Sequence, residues 1–293
     1  MKLLVEGNEV PLAGLVIYES LDQLYTTLEL TTNYYINVSK VKLEWDKSLE
    51  CMILRSVYEN QVYRYTLVSQ DTWDLMNANC QEFSGSADVK KLLSSIGINA
   101  VEGSKTDTTD WILPSLKFSA VITYLNRYAS VQSGGAPRFY IDIDGTLRFV
   151  DLKKAYDANA IELTGSVDRD TSERDWLVKF PGKVKLYVES NDGIEVQDID
   201  VGPGSGTYRI NDTTGFSASM VAQRLRNEPQ YNAYSARKLV VSVPSAKSLE
   251  LGDTVKVDGT DEKFIIHSRT TSIPVSDESP VIKLILCAPC QKL

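Results

Sequence analysis

Few residues in this chain combine a reactive type with a spacing that could do chemistry. Asp142 and Asp144 stand one residue apart in the run Asp142-Ile143-Asp144-Gly145-Thr146. Two carboxylates in one site can divide the work of nucleophile and general acid. Cys287 and Cys290 form a Cys-Ala-Pro-Cys pair with redox spacing, Cys51 and Cys80 lie far away, and His267 is the sole histidine. Val201-Gly202-Pro203-Gly204-Ser205-Gly206-Thr207 has the glycine content of a phosphate loop.

The aspartate run resembles the nucleophile motif of haloacid-dehalogenase-type phosphatases, in which the first aspartate attacks phosphorus and the second is the general acid. That resemblance implies Asp142 as nucleophile, Asp144 as acid and magnesium between them, with a lysine and a distal acidic pair completing the site. Asp168, Asp170 and Asp175 are nearby acids, but no Asp-Asp pair follows a buried strand. Such an enzyme also needs a buried parallel strand ending in the nucleophile, then a loop and a helix.

The local chemistry predicts a β-hairpin instead. A type I turn favours Asp first and Gly last, as Asp142 and Gly145 provide. A three-residue loop of Ile143, Asp144 and left-handed Gly145 sets Asp142 opposite Thr146, Ile141 opposite Leu147 and Phe139 opposite Phe149. That register keeps these apolar residues on one face and puts Tyr140 and Arg148 on the other; a two-residue loop would mix the faces.

The remaining candidates read as structural. A redox pair belongs at a helix start in a βαβ unit, whereas Cys287 follows a strand-like run at 281–286. Zinc is disfavoured by one histidine and scattered cysteines, and His267 lies in an alternating strand. The glycine-rich run lacks the Gly-Lys-Ser/Thr ending of a phosphate loop. Arg224 and Arg226 flank a helix expected over 217–227, as a solvated face or a surface for an acidic partner. We assign no catalytic, cofactor-binding or metal residue on these grounds, and expect no cofactor. The net charge of −8 argues against sequence-specific nucleic-acid binding.

The 293 residues suffice for about two domains and a substantial core. No apolar run approaches the ~20 residues of a membrane helix, and the N-terminus does not read as a signal peptide, so a cytoplasmic product is expected. That also disfavours a third reading, a β-rich cell-surface module. Alternation at Leu24, Leu28 and Leu30, then Tyr34, Ile36 and Val38, then Val41, Leu43 and Trp45, with a further strand at 62–68, predicts a first β unit. Helices follow at 88–96, capped by Ser86 and stopped by Gly97, and at 116–131, with Tyr124 and Tyr128 expected beneath the hairpin. Strands resume at Val184, Leu186 and Val188, turn at 190–193, and form a final group from Leu239 to 286.

Two stretches together resemble the baseplate hub proteins of contractile-tailed bacteriophages, related to the base of type VI secretion spike proteins. One is the helix at 116–131 leading through Ser133-Gly134-Gly135-Ala136-Pro137 into the hairpin. The other is Ser248-Leu249-Glu250-Leu251-Gly252-Asp253-Thr254-Val255-Lys256-Val257 followed by Phe264-Ile265-Ile266-His267-Ser268-Arg269, with Leu251 where the family often has proline. The expected fold is mainly β with an α+β insertion. A β-barrel-like domain at 1–75 and a second at 159–293, with a helical excursion at about 216–228, flank a helix–helix–hairpin domain at 76–158.

The resemblance implies a non-enzymatic homotrimer in the virion tail baseplate, assembled in the host cytoplasm. Its ring would join the six-fold tail tube protein to the three-fold central spike protein around the channel for DNA and tape measure protein, with wedge proteins outside. It implies no membrane insertion by this chain. An acidic balance suits a lumen to which DNA does not adhere.

Overall fold

A computed structural model describes residues 1–99, 105–170, 181–190, 193–200, 206–212, 218–235, 237–243, 249–260, 262–275 and 279–289. The chain is mainly β, with largely antiparallel sheets. The N-terminal strands are Lys2–Val5, Asn8–Val10, Gly14–Ser20, Thr27–Thr32, Lys40–Glu44, Ser48–Glu59 and Val62–Ser69. Their alternating burial gathers Leu15, Leu28, Leu30, Leu43, Tyr65 and Leu67 into one core. The expected strand around Tyr34, Ile36 and Val38 is instead an irregular segment. Ile36 is buried there and Val38 packs against the same core, with the Ile36 N–H donating to the Tyr65 hydroxyl at 2.7 Å.

The C-terminal strands Ser166–Asp170, Arg237–Val243, Lys263–Ile273 and Val281–Ala288 continue the same sheet. The seam is the antiparallel pairing of Lys263–Ile273 with Gly14–Ser20, from Ser268 opposite Ser20 to Ile273 opposite Leu15. Two barrel-like units were expected; among the described residues the ladder path stays open, ending at Asn8–Val10 and Ser166–Asp170. Alternation reports which face of a strand is buried and leaves its neighbour unspecified.

One ion pair sits on the seam. Glu19 faces Arg269 across the ladder, 7% of its side chain is exposed, and its Oε2 accepts from Arg269 Nε at 2.5 Å. Arg269 also donates to the Leu249 carbonyl.

Between the ends of the chain lie α1 (Gln70–Asn77), α2 (Val89–Ser95), α3 (Phe118–Tyr128) and α4 (Leu152–Asp157), followed later by α5 (Ala218–Tyr234). The cap of α2 is Asp88, which accepts from Lys91 N–H at 2.7 Å; Ser86 belongs to strand Phe83–Ala87, paired with Thr109–Leu113. Gly97 follows α2 at φ +85°, as expected. α5 runs past Pro229 although helix was expected only to about 228, because Tyr231 and Tyr234 pack onto the C-terminal core. In a separate sheet Pro181–Ser190 pairs with Gly193–Asp200 and with Gly206–Asp212, Ser190 facing Gly193; Asn191 and Asp192 of the expected turn lie outside the described residues.

Arg269→Met should strand the Glu19 carboxylate in the seam and destabilise the chain by on the order of 3 kcal/mol. Adding Glu19→Gln should recover much of that loss, with urea unfolding midpoints as the readout.

Candidate functional site

The hairpin has the expected register: Phe139 faces Phe149, Tyr140 faces Arg148 and Ile141 faces Leu147. Asp142 N–H donates to the Thr146 carbonyl at 2.9 Å, Gly145 N–H donates to the Asp142 carbonyl at 3.1 Å, and Gly145 has φ +74°. Strand Leu147–Asp151 follows the loop directly, so the helix that a phosphatase nucleophile strand requires is replaced by a strand.

Both Asp142 oxygens are engaged by the hairpin itself. Oδ1 accepts from the N–H groups of Asp144 at 3.0 Å and Thr146 at 2.9 Å, and Oδ2 accepts from Arg148 Nε at 2.6 Å. Asp144 points to exposed Lys47. The two carboxylates thus serve separate partners, one shaping the loop and one making a surface ion pair. Asp168 lies on strand Ser166–Asp170, where it accepts from the Ser242 hydroxyl and lies 3.9 Å from Lys283 Nζ. Asp170 ends that strand, and Asp175 lies outside the described residues. Among the described residues no cluster of His, Cys, Asp and Glu is arranged to hold a metal ion.

The hairpin meets three cores. Phe139, Ile141 and Leu147 enter the core built on α2 and α3. Tyr140 and Val150 enter the C-terminal core, and Ile143 at the tip packs on the N-terminal core. The backbone is clamped as well. Asn126 of α3 donates to the Phe139 carbonyl at 3.1 Å and accepts from Phe139 N–H at 2.6 Å. Ile141 N–H donates to Leu24 O, and Thr26 N–H donates to Ile141 O, both at 2.9 Å. Tyr124 and Tyr128 meet with tilted rings, centroids 5.5 Å apart, and Asn126 is the α3 residue that grips the hairpin backbone. A Cβ on Gly145 would lie 2.5 Å from the Asp71 Cβ and 2.9 Å from its backbone, and one on Gly252 would lie 2.7 Å from the Val150 side chain.

A second polar cluster joins segments distant in sequence. His267, 3% exposed, lies with its Nε2 2.7 Å from the Tyr231 hydroxyl, which also bonds to Asp22. The phenol has one proton. Given to the acceptor-only Asp22 carboxylate, it leaves His267 Nε2–H to donate to the phenol oxygen. Nδ1 then accepts from the Ser268 hydroxyl at 3.0 Å, and Ser20 supplies the next donor at 2.8 Å.

The Arg138 guanidinium caps the Tyr231 ring, 3.3 Å from its centroid. The His267 ring, its Nε2 3.6 Å from Asp22 Oδ1, and then the Tyr231 hydrogen bond hold the Asp22 carboxyl well below the usual carboxylate range against the opposing effect of burial. Burial, then Asp22, push the Tyr231 phenol up. One turn earlier on α5, buried Asn227 donates to the carbonyls of Arg127 and Ala129 at 3.0 and 2.9 Å, satisfying the C-terminal end of α3.

Sequence reasoning marked His267 as structural but missed Asp22, Arg138 and Tyr231, which no local pattern connects. Cys51, Cys80 and Cys287 are buried free thiols, and burial pushes Cys51 and Cys287 up to about 12. Cys290 and residues 201–205 of the glycine-rich run lie outside the described residues. Arg224 pairs with Glu228 at 2.9 Å on α5, where Arg226 is half-buried.

Gly145→Ala should cost about 3 kcal/mol, combining left-handed strain with the clash against α1. Gly7→Ala, at φ +82° with open space around it, should cost only about 1 kcal/mol in the same denaturation assay. Asp22→Asn should destabilise at neutral pH. Because the folded carboxyl titrates below its unfolded value near ~3.9, the difference from the parent chain should shrink as pH falls below about 4. Denaturation series at neutral and acid pH read that convergence.

No protein-family model and no curated protein sequence matches the chain. Solved structures do. The 43 kDa tail protein of prophage MuSo2 from Shewanella oneidensis aligns over 98% of this chain and 98% of that one, with a TM-score of 0.56 at 15% identity. A tail protein from Neisseria meningitidis aligns over 98% and 95%, with a TM-score of 0.55 at 15% identity. A type VI secretion component of E. coli, structurally similar to the T4 bacteriophage tail proteins gp27 and gp5, covers 100% of this chain and 78% of that one at a TM-score of 0.51 and 13% identity. From strand Lys2–Val5 to strand Val281–Ala288, this chain has the fold of phage tail proteins.

Proposed function

We propose that this chain is a structural hub of a phage tail baseplate. The observation that carries the reading is the near end-to-end fold match to tail proteins, one of them from a prophage, in both directions of coverage. The hairpin supports it. Its Asp-Ile-Asp-Gly-Thr run builds a loop, with both Asp142 oxygens committed to backbone and Arg148. In this role the chain works by shape and attachment.

The units at 1–75 and 159–293 act as two barrel-like domains and the unit at 76–158 as the insertion that spaces them. Three copies arrange these domains as a pseudo-six-fold ring between a six-fold tail tube protein above and a three-fold spike protein below. DNA and tape measure protein occupy the channel, and wedge proteins surround the ring. The net charge of −8 favours passage of DNA without adhesion. The ring assembles in the host cytoplasm and remains in the virion tail.

Negative-stain electron microscopy of the concentrated, purified chain should show three-fold rings with a central opening, and Asp142→Asn should leave them intact. Magnesium-dependent phosphatase turnover that disappears with Asp142→Asn would overturn the hub reading.

A further inference from the structure

In the hairpin of Ser48–Glu59 and Val62–Ser69 the second strand is covered by Thr27–Thr32 up to Tyr63, whereas the first extends well beyond its outer neighbour. Lys40–Glu44 covers the outer edge of the first strand only as far as Met52, and Ile53 N–H adds one contact to Ser39 O. Among the described residues, 54–59 have no strand on that side.

The turn determines which backbone groups are left open. Asn60 and Gln61 have φ +53° and +66°, and they close a two-residue loop on the pair Glu59 opposite Val62. Residues Glu59, Val57 and Arg55 therefore bond within the hairpin, and the N–H and C=O groups of Tyr58 and Ser56 face outward. An edge with free donors and acceptors is a template for another strand.

Aromatic rings crowd this end of the sheet. Tyr58 is 62% exposed and Tyr35 57%, and both flank Tyr63 at centroid distances of 4.7 and 5.4 Å. Arg55 is exposed and has no ion-pair partner among the described residues, and Glu59 holds Arg64 only loosely at 3.8 Å.

We infer that this edge pairs antiparallel with the same edge of a second copy of the chain, with the two-fold axis at Val57. Outward residues must meet outward residues, which restricts the register to centres on a single residue. Of the centres at Ser56, Val57 and Tyr58, only Val57 brings Arg55 opposite Glu59, and symmetry makes that ion pair twice. The same register sets Ser56 opposite Tyr58, where both outward backbone groups of each are satisfied, and lays Val57 against its own copy. Arg55 and Glu59 then occupy a non-hydrogen-bonded pair, where facing side chains approach most closely. The contact is isologous, separate from any three-fold ring, and does not rest on the hub reading.

The test is the native mass of the full chain across a concentration series. The parent chain should contain an even number of copies, two alone or six if a three-fold ring also forms. Ser56→Pro removes an outward N–H without touching the inner ladder and should halve that mass. Arg55→Glu should weaken the two-fold association on the order of tenfold or more, and Arg55→Glu with Glu59→Arg should restore it. A parent chain found only as monomer or trimer overturns the inference, as does an even-numbered species indifferent to Ser56→Pro and Arg55→Glu. A trimer without the two-fold contact would leave the hub reading standing, so the two fail separately.

Discussion

The arrangement of this molecule depends on the burial of one short hairpin on both faces. A two-stranded ribbon alone is marginal in water. This one is stable because its loop is satisfied internally by Asp142 and its side chains are shared among three cores. Phe139 and Tyr140 are adjacent in the chain yet belong to different cores. A shift of register by one residue would exchange their faces and disrupt both cores at once.

The polar groups reinforce this convergence. Asp22, Arg138, Tyr231 and His267 come from a bend, the hairpin, a helix and the seam strand, and they meet around one phenol hydroxyl and its ring. Tyr231 can reach that point because Asn227, on the preceding turn of α5, is anchored to the end of α3. Fixing a side chain's backbone with a buried amide is a way to keep a polar network in a single arrangement. The Glu19–Arg269 pair does the same for the seam by matching charge across directly opposed residues.

Much of the local structure was legible because it follows from local chemistry. The loop of the hairpin, its register and the φ of Gly97 and Gly145 all depend on residues within a few positions of each other. Helix ends were less so: Ser86 and Asp88 are both good caps, and only the pairing of Phe83–Ala87 with Thr109–Leu113 decides between them. The helix expected to end at about 228 runs on past Pro229, because tertiary packing of Tyr231 and Tyr234 carries it onward. The seam and the His267 cluster were illegible, since alternation identifies a buried face but cannot name a partner some 250 positions away. The aspartate pair illustrates the same limit in reverse, because a motif of reaction chemistry can also be the best local solution for a tight turn.

The seam also governs the order in which the molecule can be made. Gly14–Ser20 leaves the ribosome long before its partner Lys263–Ile273. Until then the early strand has Thr27–Thr32 on one side and an open ladder edge on the other. Pairings this distant in sequence are slow to form, and waiting edges are prone to capture by other chains. A nascent chain of this design holds its central strand unprotected until that distant partner emerges, so its yield in a cell should depend on how well that interval is chaperoned.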